Sequence, residues 1–336
     1  MARLLFLLKT AEDGRKKGRR MSKIIAGHEL APGKTVRDYC HVEGTGIDVP
    51  YVLLCGMQPG PTVLISAGIH NAEYVGIQAA IELTDELDVR ELHGDLIIIP
   101  LCNRSGFEHR TMSMVYEDGK NLNRVFPGDP EGTAADRLAY MLFNTFIKNS
   151  DAHIDLHCGD GYETLMPFAY YVGDTPAEET SRRMAACVDT AYCVRSRTTT
   201  GGAYNLAAVN GIPSVLIERG QLSLYPREEI DADKADVRNI LKCLGVLEGE
   251  AVSYQKMQLR EYDDVSPCTG FWYPEKKPGD TFRAGEKLGE IRDCFGNCLF
   301  TECAEQDGML LYQCASLNIL EKGPMIAYGV TEGPLF

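Results

Sequence analysis

No apolar run in this 336-residue chain approaches the ~20 residues that a membrane-crossing helix needs. A helical membrane protein is therefore excluded, and a soluble, folded chain is expected. Basic residues are scarce. Thirty-four Lys and Arg against 48 Asp and Glu give a net charge of −14, which repels a phosphate backbone and argues against nucleic-acid binding. No G-x-S-x-G elbow and no phosphate-binding G-x-x-x-x-G-K-[ST] loop occurs, which removes the commonest serine-hydrolase and nucleotide-binding classes. Cys-x-x-Cys pairs are also missing. The 12 cysteines run from Cys40 to Cys314 in a chain too large to need disulfide staples, so reduced, mostly buried thiols and a cytoplasmic location are expected. Cys294, Cys298 and Cys303 are spaced more widely than the ligands of common zinc knuckles, and packing is the default expectation for them.

What is present divides unevenly. Residues 1–21 carry seven Lys/Arg and two acids, leaving −19 for the remainder. They read as a disordered basic leader, with Met21 as a candidate true start, because the apolar stretch Leu4 to Leu8 is too short for a secretory segment. From Pro61, short apolar runs alternate with helical patterns, predicting an α/β domain with a mixed central sheet flanked by helices over residues 22–258. Strands are expected at 62–69, 95–101, 152–156 and 214–217, and helices at 71–87, 133–148, 180–192 and 227–247. Beyond about Tyr262, short runs punctuated by Pro and Gly predict a smaller all-β C-terminal domain over 259–336, resembling a barrel-sandwich and acting as a structural or lid module.

Polar residues follow the expected strands: His70, Asn103, His157 and Glu218. Open α/β sheets bind ligands outside the carboxyl ends of their strands, so one pocket could collect all four. His70 and Glu73 are three residues apart, and a zinc site for hydrolysis uses three protein ligands, often two His and one Glu. A solvated His beside a helix-starting Glu would explain the pair equally well. For a third ligand, His157 is preferred to His153, because it ends its apolar run; Asp155 is either a partner of that ligand or plain strand polarity. Glu218 ends another apolar run, where a lone carboxylate is costly. It is read as a general base, with an ion pair to Arg219 as the alternative.

G-x-H-x-x-E at 68–73, N-L-N-R-x-F-P-G at 121–128, D-L-H at 155–157 and the strand-end Glu218 occur in an order that resembles the succinylglutamate desuccinylase/aspartoacylase family, within the zinc-carboxypeptidase-like superfamily. The resemblance covers roughly residues 60–250, and the β-rich tail also fits. It implies one Zn2+ per chain held by His70, Glu73 and His157, with Glu218 as catalytic base. It further implies Arg110 as the arginine that polarises the scissile carbonyl, and Asn123 with Arg124 as the holders of a substrate carboxylate. Arg104 after Asn103 and Cys158 after His157 depart from the pattern, and both could alter substrate shape.

The expected activity is zinc-dependent hydrolysis of the amide bond of an N-acyl amino acid or related small amide. The expected partner is a small molecule bearing a carboxylate, with no nucleic acid and no membrane; a homo-oligomer is compatible with the sequence. A metallocarboxypeptidase that trims a peptide C-terminus would use the same residues. A non-catalytic binding protein on the same fold is the third reading.

Overall fold

The computed structural model describes residues 23–336 except Thr198. The basic leader and the candidate start at Met21 lie outside the described residues.

A 13-stranded mixed sheet forms the spine of the molecule. Its centre is parallel: Ser214–Glu218, Ala152–His157, Gln58–Ala67 and His93–Ile99 lie side by side, joined by crossovers. These runs are buried on both faces, as their near-continuous Val, Ile and Leu content requires. Helices Tyr74–Glu86, Glu178–Ala186 and Arg227–Cys243 cover one face, packing Val75, Leu83, Met184 and Val237 on Val63, Ile65, Ile154 and Val215. Helices Ala134–Met141 and Ala203–Val209 cover the other, packing Leu138, Ala139 and Leu206 on Tyr51, Leu64 and Ile97. Among the described residues, no helix is long and apolar enough to cross a membrane.

The expected helix at 133–148 keeps regular α geometry only over Ala134–Met141; the chain then widens through Leu142–Phe146 and tightens over Ile147–Asn149. The expected helix at 180–192 stops at Ala186, and Tyr192–Ser196 is a strand. Several elements were not expected from the sequence, among them the antiparallel strands Thr35–His41 and Asp48–Cys55 at one edge of the sheet, the strand Phe168–Val172 and the helices Arg104–His109 and Ala203–Val209. Phe168–Val172 pairs antiparallel with Ser214–Glu218 but parallel with Tyr192–Ser196, which reverses strand direction within the sheet.

The β-rich segment continues this sheet. Met257–Val265 pairs with Tyr192–Ser196, then with Pro324–Pro334, which in turn pairs with Gly308–Cys314. A separate four-stranded antiparallel sheet is built from Gly270–Pro274, Lys287–Arg292, Cys298–Cys303 and Asn318–Ile319. Trp272, Leu288, Ile291, Leu310 and Tyr328 form the core between these strands. All 12 cysteines are unpaired. Cys294, Cys298 and Cys303 are exposed rather than packed, because they occupy a turn and the first and last positions of an edge strand.

Candidate metal centre and substrate site

The turn carrying His70 begins at Gly68, whose φ of +66° and close approach to Leu101 Cδ1 (2.9 Å from where a Cβ would stand) exclude a side chain. The turn is held by the Ala72 N–H donating to Met112 O (3.1 Å) and the Glu73 N–H donating to His70 O (3.3 Å). Glu73 caps the helix Tyr74–Glu86 without a side-chain bond to it, leaving its carboxylate free to face the histidines. His157 ends the parallel strand Ala152–His157 directly opposite Glu218 on the neighbouring strand. Residues 153, 155 and 157 share one sheet face with 214, 216 and 218, so the pleat alone aims His157 and Glu218 to the same side.

His70, Glu73 and His157 converge, with one ligand atom from each lying within 4.8 Å of the others. His70 Nδ1 is 2.7 Å from Glu73 Oε1, and His157 Nδ1 is 2.8 Å from Glu73 Oε2. The outer nitrogen of His70 defines its protonation. His70 Nε2 lies 3.1 Å from Asn121 Oδ1, an oxygen that already accepts the Asn123 N–H at 2.8 Å. Asn121 can therefore only accept from His70, so Nε2 carries the proton. His157 Nε2 faces Asp155 Oδ2 at 3.4 Å, longer than a well-formed hydrogen bond, and Asp155 is fixed by Ser66 Oγ at 2.6 Å. In neutral imidazoles so oriented, both Nδ1 lone pairs would point at carboxylate oxygens, an arrangement that calls for a cation between them. Two imidazoles, a carboxylate and outer partners that orient the rings are a donor set suited to a divalent metal ion.

With no cation between them, the same crowding favours a proton in its place. Burial alone would raise Glu73, but the charges of His157 and His70 outweigh it and hold the carboxyl at about 2. Burial would lower His157, but Glu73 and Asp155 drive it well above the ordinary imidazole range. Glu218 moves the other way. Burial pushes it well up, against the attraction of His157 and with repulsion from Glu73 and Glu261, and its Oε2 is buried without a hydrogen-bond partner. The ion pair with Arg219 is not formed: strand alternation sends Arg219 to the opposite face, where Nη2 meets Asp236 Oδ2 at 2.7 Å.

The remaining sequence candidates lie on the loops around this centre. Arg110 is exposed, in left-handed conformation at the end of the short helix Arg104–His109, two residues before the Met112 carbonyl that pins the His70 turn. Its guanidinium has no partner among the described residues. Asn123 is buried, its Oδ1 accepting the Ala203 N–H at 2.9 Å while Nδ2 is uncommitted; Arg124 is exposed, with Nη1 donating to Asn123 O. His153, the other candidate ligand, is fully buried behind the site and pairs with Ser66 Oγ at 2.7 Å. Asn121 and Ser66 are functional-looking residues that the sequence reading passed over. Asn121 stands in the quoted N-L-N-R motif, yet its role depends on a contact with a residue 51 positions away.

The family model described as "Succinylglutamate desuccinylase/Aspartoacylase catalytic domain" matches residues 59–244. An N-alpha-acetyl-L-2,4-diaminobutyric acid deacetylase from Halomonas elongata is 30% identical over 267 residues, 75% of this chain and 77% of that protein. The product-bound ectoine utilization protein EutE (DoeB) from Ruegeria pomeroyi superposes with a TM-score of 0.80 at 23% identity, covering 90% of this chain and 97% of the other. A succinylglutamate desuccinylase/aspartoacylase from Rhodobacter sphaeroides gives 0.76 at 22% identity, covering 88% and 96%. The chain belongs to the succinylglutamate desuccinylase/aspartoacylase family and is a hydrolase of amide bonds.

Proposed function

We propose that the protein is a zinc-dependent deacylase that cleaves the amide bond of a small N-acyl amino acid, releasing a carboxylic acid and the free amine. The observation that carries this reading is the convergence of two imidazole Nδ1 atoms on the Glu73 carboxylate, with the Glu218 carboxylate on the same sheet face. His70, Glu73 and His157 would hold the ion, which when bound lowers the pKa of water and polarises a carbonyl. Zinc suits this set of two imidazoles and one carboxylate better than magnesium or calcium, which prefer all-oxygen sites.

Glu218 takes the proton of the attacking water as it adds to the carbonyl carbon, then delivers it to the amide nitrogen as the C–N bond breaks. Arg110 offers its unpaired guanidinium to the oxygen that gains negative charge. Asn123 Nδ2 and Arg124 receive the substrate carboxylate, orienting the amide toward Glu218. The Halomonas relative is named for an acetylated amino acid, which favours a small acyl group here. The β-rich segment supports a small substrate over a peptide: Gly308–Cys314 pairs with Glu163–Leu165, and the Ala315 N–H donates to Tyr162 O at 2.7 Å, so this segment packs on the loop that follows His157. The 12 unpaired cysteines support a cytoplasmic location.

The test is Glu218→Gln in zinc-loaded protein, assayed on N-acetyl, N-succinyl and longer N-acyl amino acids beside short peptides. Turnover should fall by about 10³-fold or more, within the range of general-base loss combined with loss of proton delivery, while zinc content stays at one per chain. Near-normal turnover in the variant would remove the assignment of Glu218, and wild-type hydrolysis of peptides alone would replace the deacylase with a carboxypeptidase.

A further inference from the structure

The β-rich segment brings a carboxylate of its own to this face of the sheet. Glu261 lies on the strand Met257–Val265, two residues beyond Leu259. Leu259 is in register with Val194, Val194 with Tyr170, and Tyr170 with Leu216, two residues before Glu218. By that register Glu261, Tyr170 and Glu218 share a face. Glu261 is close enough to Glu218 to oppose its ionisation, and Arg124 is close enough to favour that of Glu261.

Two tyrosines converge on one oxygen of this carboxylate. Tyr170 Oη donates to Glu261 Oε1 at 2.5 Å and Tyr312 Oη donates to the same atom at 2.7 Å. Oε2 makes no hydrogen bond or ion pair with any described residue. Aromatic rings wall the group: Phe168 packs on Tyr170 with centroids 4.9 Å apart and on Tyr312 at 6.4 Å, and Tyr204 lies 6.1 Å from Tyr170. A carboxylate fixed through one oxygen, open at the other and set among aromatic side chains is a receptor for an organic cation, through a charge-assisted hydrogen bond.

We infer that Glu261, framed by Tyr170, Tyr312 and Tyr204, forms a subsite for a second, positively charged amine on the substrate. Resting on the deacylase reading, this assigns to Glu261 the recognition of the second amine of an N-acyl diamino acid, the class in the name of the Halomonas relative: the free ammonium meets Glu261 Oε2 while the carboxylate meets Asn123 and Arg124. Opposite charges on the ligand then match opposite charges across the pocket, and an acidic side chain is repelled from the same place.

Binding separates this inference from the hydrolase assignment. Zinc-loaded wild type and Glu261→Gln are titrated calorimetrically with 2,4-diaminobutyrate and with 2-aminobutyrate, which lacks the second amine, and kcat/KM is measured for their N-acetyl derivatives. The wild type should bind and process the diamino compound at least about tenfold better, the scale of one charge-assisted hydrogen bond. Glu261→Gln should erase that preference while leaving 2-aminobutyrate binding within about threefold; Glu261→Asp should restore part of it. Equal losses on both compounds would overturn the subsite and leave Glu261 as a positioning residue for Arg124, and absence of any preference in the wild type would overturn it outright. If the diamino compound binds through Glu261 but no N-acyl amino acid is hydrolysed, the cation subsite stands and the deacylase reading falls.

Discussion

Replacing Asn121 tests the argument that a single amide oxygen sets which nitrogen of His70 is available to a metal ion. Its Oδ1 accepts from His70 Nε2 at 3.1 Å and from the Asn123 N–H at 2.8 Å. Asn121→Leu conserves volume but removes both acceptances. A hydrogen bond between part-buried neutral groups contributes about 1 to 1.5 kcal/mol, and each 1.4 kcal/mol is a factor of ten, so release of the His70 tautomer should weaken zinc binding about tenfold. That lies at the low end of the effect of orienting partners at metal sites. Loss of the second bond, which caps the turn Leu122–Arg124, should lower the stability of the metal-free protein by about 1 kcal/mol. Asn121→Asp keeps an acceptor for both donors and adds negative charge, so zinc should bind at least as tightly as in the wild type. Competition against a chromophoric chelator measures the affinities, and thermal melting of chelator-treated protein measures the stability. Unchanged zinc affinity in a folded Asn121→Leu variant would refute the tautomer argument, as would equal weakening in Asn121→Leu and Asn121→Asp.

Three further outcomes are expected. Arg124→Ala should raise KM for N-acyl amino acids by about tenfold or more with kcat within about threefold, since an exposed guanidinium that holds a carboxylate contributes to binding rather than to bond cleavage; steady-state kinetics with and without a carboxylate on the substrate checks it. Gly68→Ala should destabilise the fold by about 1 to 3 kcal/mol and weaken zinc binding, because a Cβ at φ +66° is strained and would meet Leu101 and Ile77; chemical denaturation and chelator competition report the two effects. Glu302 gives a pH signature in the β-rich segment. Burial, then repulsion from Asp264 and Glu305, push its carboxyl up to about 7 from an ordinary 4.5. The folded state therefore holds the extra proton, so the stability this group supplies is full below pH 4.5 and is lost as pH rises through 7. The whole shift corresponds to about 3 kcal/mol, which solvent screening reduces to about 1; Glu302→Gln should flatten the decline of melting temperature between pH 5 and 8.

The candidate metal ligands and the proposed base were legible in the sequence because each stands at a boundary that local chemistry marks. His157 and Glu218 terminate apolar runs, and a strand's pleat needs no distant information to place them on one side of the sheet. Glu73 precedes a helix whose apolar spacing is evident, and Gly68 signals the tight turn that brings His70 back over it. The strand Phe168–Val172 was not legible for the opposite reason. Five residues between glycine-containing loops have no room for a periodicity, and its antiparallel pairing with Ser214–Glu218 is a property of the assembled sheet. Cys294, Cys298 and Cys303 misled through residue type, since cysteine is usually buried, whereas a turn and the two ends of an edge strand leave side chains exposed whatever they are.

Glu261 shows the same limit at the level of the site. Between Arg260 and Tyr262, in a strand rich in charged residues, it is indistinguishable from ordinary surface polarity. Its meaning comes from Tyr170, 91 residues earlier, and Tyr312, 51 residues later, which meet on one of its oxygens only after the C-terminal strands have joined the central sheet. A candidate metal centre can thus be read from one half of the chain, whereas the proposed cation subsite draws on both halves. Because Met257–Val265 pairs directly with Tyr192–Ser196, the β-rich segment is held in register with the strands that carry Glu218 and His157. Glu261 is therefore placed by backbone hydrogen bonds rather than by the closing of a mobile lid. A preference set in this way should survive loop substitutions around residue 160 and be lost with the tyrosines: Tyr312→Phe, which removes one of the two donors on Oε1, should reduce discrimination between charged and neutral substrates by several-fold, as competition kinetics would show, and undiminished discrimination would detach the tyrosines from the role of Glu261.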